Sequence, residues 1–346
     1  MTRVGIVGIG FMGMVHFLTY KKLPGVRVSA ICDRSPEKLS GDWTSIRGNF
    51  GPPGKQMNLA DLAIYQSVDE LIADPQINLV DITLPPFLHA EVSIKALEAG
   101  KHVLCEKPMA LNVNDCDRMI TAAEKSGRKL LIGHVLPFFP EFAWALREIR
   151  SGEHGRLLGG SFTRVISDPT WLSNYWNANQ VGGPMLDLHI HDAHFIRLLC
   201  GMPSTVTTRG SQRNGLPEHW HTLFEFEGGQ VTVQATSGVI RQQGRPFLHG
   251  FEIHLERATL LFEFAVCSDQ SSYLCPPTVL NSAGHVQCVE LGDGDPMNAF
   301  HAELEHVVRV LINHASLDAL DPLLARDALA LCEQQARSLT TARQGL

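Results

Sequence analysis

Over the first 133 residues the apolar positions come in short unbroken runs set between helical stretches. Val4 to Val7, Val26 to Cys32, Leu79 to Thr83, His102 to Cys105 and Leu130 to Gly133 each read as a buried strand. Runs without alternation are what a sheet covered on both faces requires. Between them, helices are predicted through Met14, Phe17 and Leu18, from Ser35-Pro36-Glu37, around Ser67 to Ala73, from Thr83 to Gly100, and from Asn112 to Ser126. Residues 41–58 are rich in Gly, Pro, Asn and Ser and read as an irregular loop. The alternation of strand and helix predicts a doubly wound parallel sheet over residues 1–133.

After His134 the period changes. A helix reaches Arg150, Ser161 to Ile166 has strand character, and a helix is expected from Pro184 to Cys200, closed by Gly201 and Pro203. Apolar and polar residues then alternate over Thr205 to Arg209, His219 to Phe226, Gln230 to Ala235, Phe251 to Glu256, Ala258 to Phe264 and Val286 to Leu291. That pattern predicts a mostly antiparallel sheet with one face on a core. Helices over Met297 to Asn313 and Pro322 to Thr341 close the chain. The fold class is α/β, with a second α/β domain over 134–346 whose last helices can pack back on the first.

Composition acts mainly by exclusion. A chain of 346 residues with 44% hydrophobic and 19% charged residues can bury two cores. A formal charge of −7 argues against nucleic acid, which needs a clustered basic surface. No run approaches the roughly 18 apolar residues of a membrane helix, and Met1 leads directly into a strand. The eight cysteines form no Cys-x-x-Cys pair, so neither a disulfide framework nor a zinc site is expected. These features predict a cytoplasmic protein without nucleic-acid or membrane partners.

Chemistry concentrates at three places. Gly8-Ile9-Gly10-Phe11-Met12-Gly13 follows the first strand and opens a helix, and Asp33 stands at the end of the second strand, 20 residues past Gly13. Glycines there allow a tight turn and close approach of backbone N–H groups to a diphosphate, and the acid accepts ribose hydroxyls. A carboxylate at Asp33 favours NAD over NADP, although Arg34 beside it could pair with a 2′-phosphate. Thr83, Leu84, Pro85 and His89, at a strand's carboxyl end, are expected near the nicotinamide, with His89 either touching the cofactor or capping its helix. The second place is Glu106-Lys107-Pro108, where a lysine ends a strand and points into the same crevice.

The third place is Gly182 to His194. Each helical residue turns by about 100°, so Asp187 and His191 lie about 40° apart with His194 on the same stripe. A carboxylate one turn from an imidazole on an apolar helix points to an acid/base pair. His189 and His191 diverge by about 160° on that helix and cannot share one ion, so no metal site is expected, and a metal-dependent hydrolase built on His189, His191 and His194 is the weaker reading. Trp171 and Trp176, interleaved with Asn174, Asn177, Asn179 and Gln180, suit a polyhydroxylated ligand as rings packing on C–H faces and amides meeting hydroxyls. His134, His189 and His194 are the other candidate substrate contacts.

Taken together, the glycine motif, Gly-Lys-His-Val-x-x-Glu-Lys-Pro at 100–108 and Gly-Gly-x-x-x-Asp-x-x-x-His at 182–191 resemble the family of glucose–fructose oxidoreductases, inositol dehydrogenases and MocA-like oxidoreductases. The resemblance covers nearly the whole chain. It implies a Rossmann domain, an α/β domain whose open sheet makes homo-oligomer contacts (dimer or tetramer), and NAD(P)-dependent oxidation or reduction of a sugar, cyclitol or related polyol. It also implies that Lys107, Asp187 and His191 are catalytic. Pro184 replaces a frequent third glycine, and His189 stands where a small residue is common. A dinucleotide-binding regulator without turnover is the alternative; retention of all three acid/base groups argues against it.

Overall fold

A computed structural model describes every residue except 171, 173, 345 and 346, with backbone alone for 341–344. Trp171 therefore lies outside the described residues. The chain forms two compact units. Met1–Phe139 and Asp295–Arg326 make the first; Pro140–Gly294 and Asp327–Leu346 make the second. The continuous division at 133/134 thus gives way to a discontinuous one, because the segment after Gly294 returns to the first unit.

The first unit contains β1 (Thr2–Val7), α1 (Phe11–Tyr20), β2 (Val26–Cys32), α2 (Pro36–Leu39), β3 (Ala63–Tyr65), α3 (Val68–Ala73), β4 (Leu79–Ile82), α4 (His89–Glu98), β5 (His102–Glu106), α5 (Val113–Ser126) and β6 (Leu130–Gly133). These strands form a parallel sheet in the order β3-β2-β1-β4-β5-β6. The short β3 escapes the sequence pattern because only three residues pair. Val4, Ile6, Val7, Leu79, Val80 and Ile82 are fully buried, as a doubly covered sheet demands. Caps set the helix ends. Ser35 accepts the Lys38 N–H ahead of Pro36, Asn112 accepts the Asp115 N–H, and Gly127 takes a left-handed φ of 65° to stop α5. The irregular stretch 41–58 is pinned by Trp43, which is fully buried and packs edge-on to Phe17.

In the second unit, α6 (Pro140–Ser151) and β7 (Leu157–Ser167) precede a helical turn and α7 (Ile190–Cys200). Then follow β8 (Thr205–Arg213), β9 (Leu216–Glu225), β10 (Thr232–Ile240), β11 (Phe247–Leu255), β12 (Ala258–Cys267), β13 (Gln270–Asn281) and β14 (Val286–Cys288). Their order is β14-β13-β12-β11-β7-β10-β9-β8, antiparallel throughout except for the β7–β10 pair. The strand expected at Val286 to Leu291 ends at Cys288, and β13 was not expected. Its first half is exposed and Pro276-Pro277 interrupts its alternation. Lastly, α8 (Met297–Asn313) supplies Leu304, Val307 and Val310 to the first unit's core, and the division at Arg326/Asp327 falls inside α9 (Pro322–Gln344). Among the described residues no helix is long and apolar enough to cross a membrane.

Candidate active site

The turn after β1 opens onto a crevice of about 650 Å³ in the first unit, within the usual range for ligand sites. Gly8, Gly10, Phe11, Met12, Asp33, Arg34, Thr83, Leu84 and Pro85 all line it. Lys38, Gln66, Leu88, Glu91 and Lys95 join them without any sequence signal.

A dinucleotide fits this turn on steric grounds. Gly8 has φ +96°, and a Cβ there would stand 2.9 Å from the Thr83 carbonyl oxygen. At Gly13, which lies behind the crevice, a Cβ would meet the Gly8 carbonyl oxygen at 2.1 Å. At Gly10 an added Cβ meets nothing within 4 Å, so that face is open to a ligand. Each glycine therefore does a different job, two permitting the turn and one leaving room beside it. The Asp33 carboxylate accepts the Ile9 N–H at 2.7 Å and the Ser35 N–H at 2.9 Å, with Lys38 Nζ 3.6 Å away.

His89 does not reach the crevice. It is 1% exposed, with Nδ1 2.8 Å from the Pro108 carbonyl and Nε2 2.7 Å from the Leu84 carbonyl. The expected cofactor contact is replaced by a brace between the β4 and β5 loops. Burial lowers its pKa, although two facing carbonyls favour the charged ring. Glu106 is likewise interior, and one carboxylate oxygen accepts the Lys107 backbone N–H at 3.1 Å. Lys107 is half-buried at the end of β5.

In the second unit the helix expected from Pro184 to Cys200 is not regular. Met185–His189 form a π-type turn before α7 starts at Ile190. Such wide turns often mark functional sites. Through residues 183–196, all described, every position is buried except Asp187 and His191, which are both half-exposed. An acid and an imidazole thus occupy the accessible positions of an otherwise interior segment. Tyr175, missed in the sequence, is 2% exposed, and burial followed by the charges of Asp187 and Asp168 raises its pKa well above the ordinary phenol value.

The other predicted substrate contacts fare differently. His189 is fully buried, with Nδ1 2.7 Å from Ser237 Oγ and Nε2 3.0 Å from the Gln335 amide nitrogen. Burial lowers its pKa to about 4, so it is a neutral core histidine and not a substrate contact. His134 and His194 are also 0% exposed, out of reach of a dissolved ligand. Trp176 is half-buried under the Arg213 guanidinium at 4.2 Å and donates to Asp168 at 3.2 Å. Arg213 also pairs with Asp168 and Glu218, so this loop has a charged anchor that an aromatic-amide pattern does not reveal. Asp192 forms a buried two-pronged pair with Arg164 at 2.7 and 3.1 Å. Among the described residues no cluster of three His, Cys, Asp or Glu stands ready to hold a metal.

Residues 2–134 match an oxidoreductase family with an NAD-binding Rossmann fold, and 142–261 match the GFO/IDH/MocA C-terminal domain. An uncharacterized oxidoreductase of Rhizobium meliloti is 39% identical over 202 residues, 56% of this chain and 56% of that protein. An inositol 2-dehydrogenase/D-chiro-inositol 3-dehydrogenase of Lactiplantibacillus plantarum is 34% identical over 162 residues, 45% of this chain and 42% of that protein. The matched stretches thus span about half the length of these curated relatives. The solved aldose-aldose oxidoreductase of Caulobacter crescentus superposes with a TM-score of 0.79 at 22% identity, covering 100% of this chain and 98% of that one, a likeness of fold. With both of its halves matched, the chain belongs to the GFO/IDH/MocA family of oxidoreductases.

Proposed function

We propose that this protein transfers a hydride between a nicotinamide dinucleotide, NAD by preference, and a secondary alcohol of a sugar, cyclitol or related polyol. The observation that carries this reading is the accessible Asp187–His191 pair on an otherwise buried segment. It is supported by the open glycine turn, by Lys107 at a strand's carboxyl end, and by the similarity to an inositol dehydrogenase.

The dinucleotide, when bound, supplies the hydride acceptor or donor. Gly8, Gly10, Asp33 and the Thr83–Pro85 loop would hold it. His191 takes the hydroxyl proton in oxidation and returns it in reduction, because an imidazole titrates near neutrality. Asp187 orients that ring or holds a neighbouring hydroxyl. Lys107 offers positive charge to the developing alkoxide. Aromatic and amide groups around Trp176 suit a ligand with many hydroxyls. The eight-stranded sheet, with β9 alternating buried and exposed residues, is the proposed face for a homo-oligomer.

The test is a panel of inositols, aldoses, ketoses and sugar acids with NAD and NADP, following nicotinamide absorbance. Turnover with a polyol supports the reading. NAD binding without turnover on any member would leave a dinucleotide-binding regulator instead.

A further inference from the structure

Behind the end of β5 lies a group of buried titratable side chains that the proposed reaction does not use. His16 and Tyr20 come from α1, Asp81 from β4, Glu106 from β5 and Glu303 from α8, none more than 7% exposed. His16 Nδ1 lies 2.9 Å from Asp81 Oδ2, and Nε2 makes an ion pair with Glu106 Oε1 at 3.1 Å. The second oxygen of Glu106 accepts the backbone N–H of Lys107. Gly133, paired with Glu106 across the sheet, leaves room for this carboxylate; a Cβ there would stand 3.2 Å from Oε1.

The charge balance follows from the neighbours. Burial opposes a charge on His16, but Asp81 and then Glu106 outweigh it and raise the imidazole pKa well above its ordinary value. Burial, followed by the Glu106 charge, raises the Glu303 pKa well above its ordinary value. Burial and Asp81 keep the Tyr20 phenol protonated. A buried arrangement of this kind is costly, and an apolar side chain at position 16 would serve packing better.

We propose that His16 is a positioning residue: it holds Glu106 in the orientation that fixes the Lys107 main chain, and through it the place of the Lys107 ammonium. This rests on the role given above to Lys107. His16 touches neither substrate nor cofactor; its effect passes through Glu106.

The experiment compares His16→Gln, Glu106→Gln and the double variant with the wild type. Readouts are NADH affinity by fluorescence, melting temperature, and kcat, KM and their pH profiles with the best substrate of the polyol panel. For folded variants we expect NADH affinity within about threefold, kcat lowered tenfold or more with KM little changed, and the pH profile displaced by at least half a unit. The double variant should be no slower than the slower single, because both interrupt one linkage. Wild-type kcat with a superimposable profile, or single losses that multiply, would overturn the proposal. If His16→Gln does not fold, Glu106→Gln, which keeps an acceptor for the Lys107 N–H, decides by the same kcat and profile comparison. Lys107→Ala is run alongside. If it keeps near-wild-type turnover, the role of Lys107 fails; if it is inactive while the other variants behave as wild type, only the His16 linkage fails.

Discussion

The backbone N–H of Ile9 donates to the Asp33 carboxylate at 2.7 Å, locking the glycine turn after β1 to the acid after β2. Asp33 therefore shapes the turn in addition to the ribose contact proposed for it. Its other oxygen accepts the Ser35 N–H, so the carboxylate stays fixed at the mouth of the crevice. Asp33→Ser should weaken NAD binding about tenfold to a hundredfold, the scale of charge-assisted hydrogen bonds. NADP should bind better relative to NAD, because Arg34 and Lys38 remain to meet the 2′-phosphate. Fluorescence titration with both reduced cofactors checks this.

Gly10→Ala separates the turn from its ligand. The added methyl meets no protein atom within 4 Å, so stability should change by no more than about 0.5 kcal/mol in urea unfolding. NADH affinity should fall at least tenfold, since the methyl takes space needed for close backbone approach. A destabilised variant with unaltered NADH binding would contradict the site.

Lys107→Ala and His191→Ala should each lower kcat by about 10² to 10⁴, the usual scale of a lost proton-transfer or charge-stabilising group. NADH binding should persist in both. Near-wild-type turnover in either would remove that residue from the proposed chemistry.

His189 makes the second unit sensitive to acid. Its folded pKa is about 4 against 6.5 when free, so below about pH 6.5 the unfolded chain takes up a proton that the native state does not. Stability from this group is fully present above that pH and falls as pH drops toward 4, by about 3 kcal/mol in all. Urea unfolding followed by tryptophan fluorescence measures this, with Trp220, whose ring lies 5.6 Å from His189, among the reporting rings. His189→Gln should show a shallower loss between pH 6.5 and 4. Equal slopes would mean the native state binds the proton after all.

Much of the first unit was legible because its signals are local. Unbroken apolar runs, a glycine turn in strand–turn–helix context and an acid at the end of β2 need no knowledge of distant residues. Spacing singled out Asp187 and His191, and these are the two half-exposed positions of residues 183–196. The π-type turn that carries Asp187 was not legible, since nothing in residues 184–189 separates it from a regular helix start. The histidines misled for a physical reason. His89 and His189 are satisfied by partners far along the chain, Pro108 for one and Ser237 and Gln335 for the other. Periodicity cannot see such partners. His16 was hidden in the same way, because Asp81, Glu106 and Glu303 lie on three other elements.

The return of Asp295–Arg326 to the first unit interleaves the two units along the chain, since Asp327–Leu346 belongs again to the second. Leu304, Val307, Val310 and Leu320 are fully buried there, and Glu303 completes the polar group around His16. A gene fragment stopping at Phe139 would leave that core without one of its walls, and the nucleotide half could not be excised as one continuous piece. Recombination between family members would have to exchange Pro140–Gly294 together with Asp327–Leu346, through three junctions near Phe139, Gly294 and Arg326, to move the second unit whole.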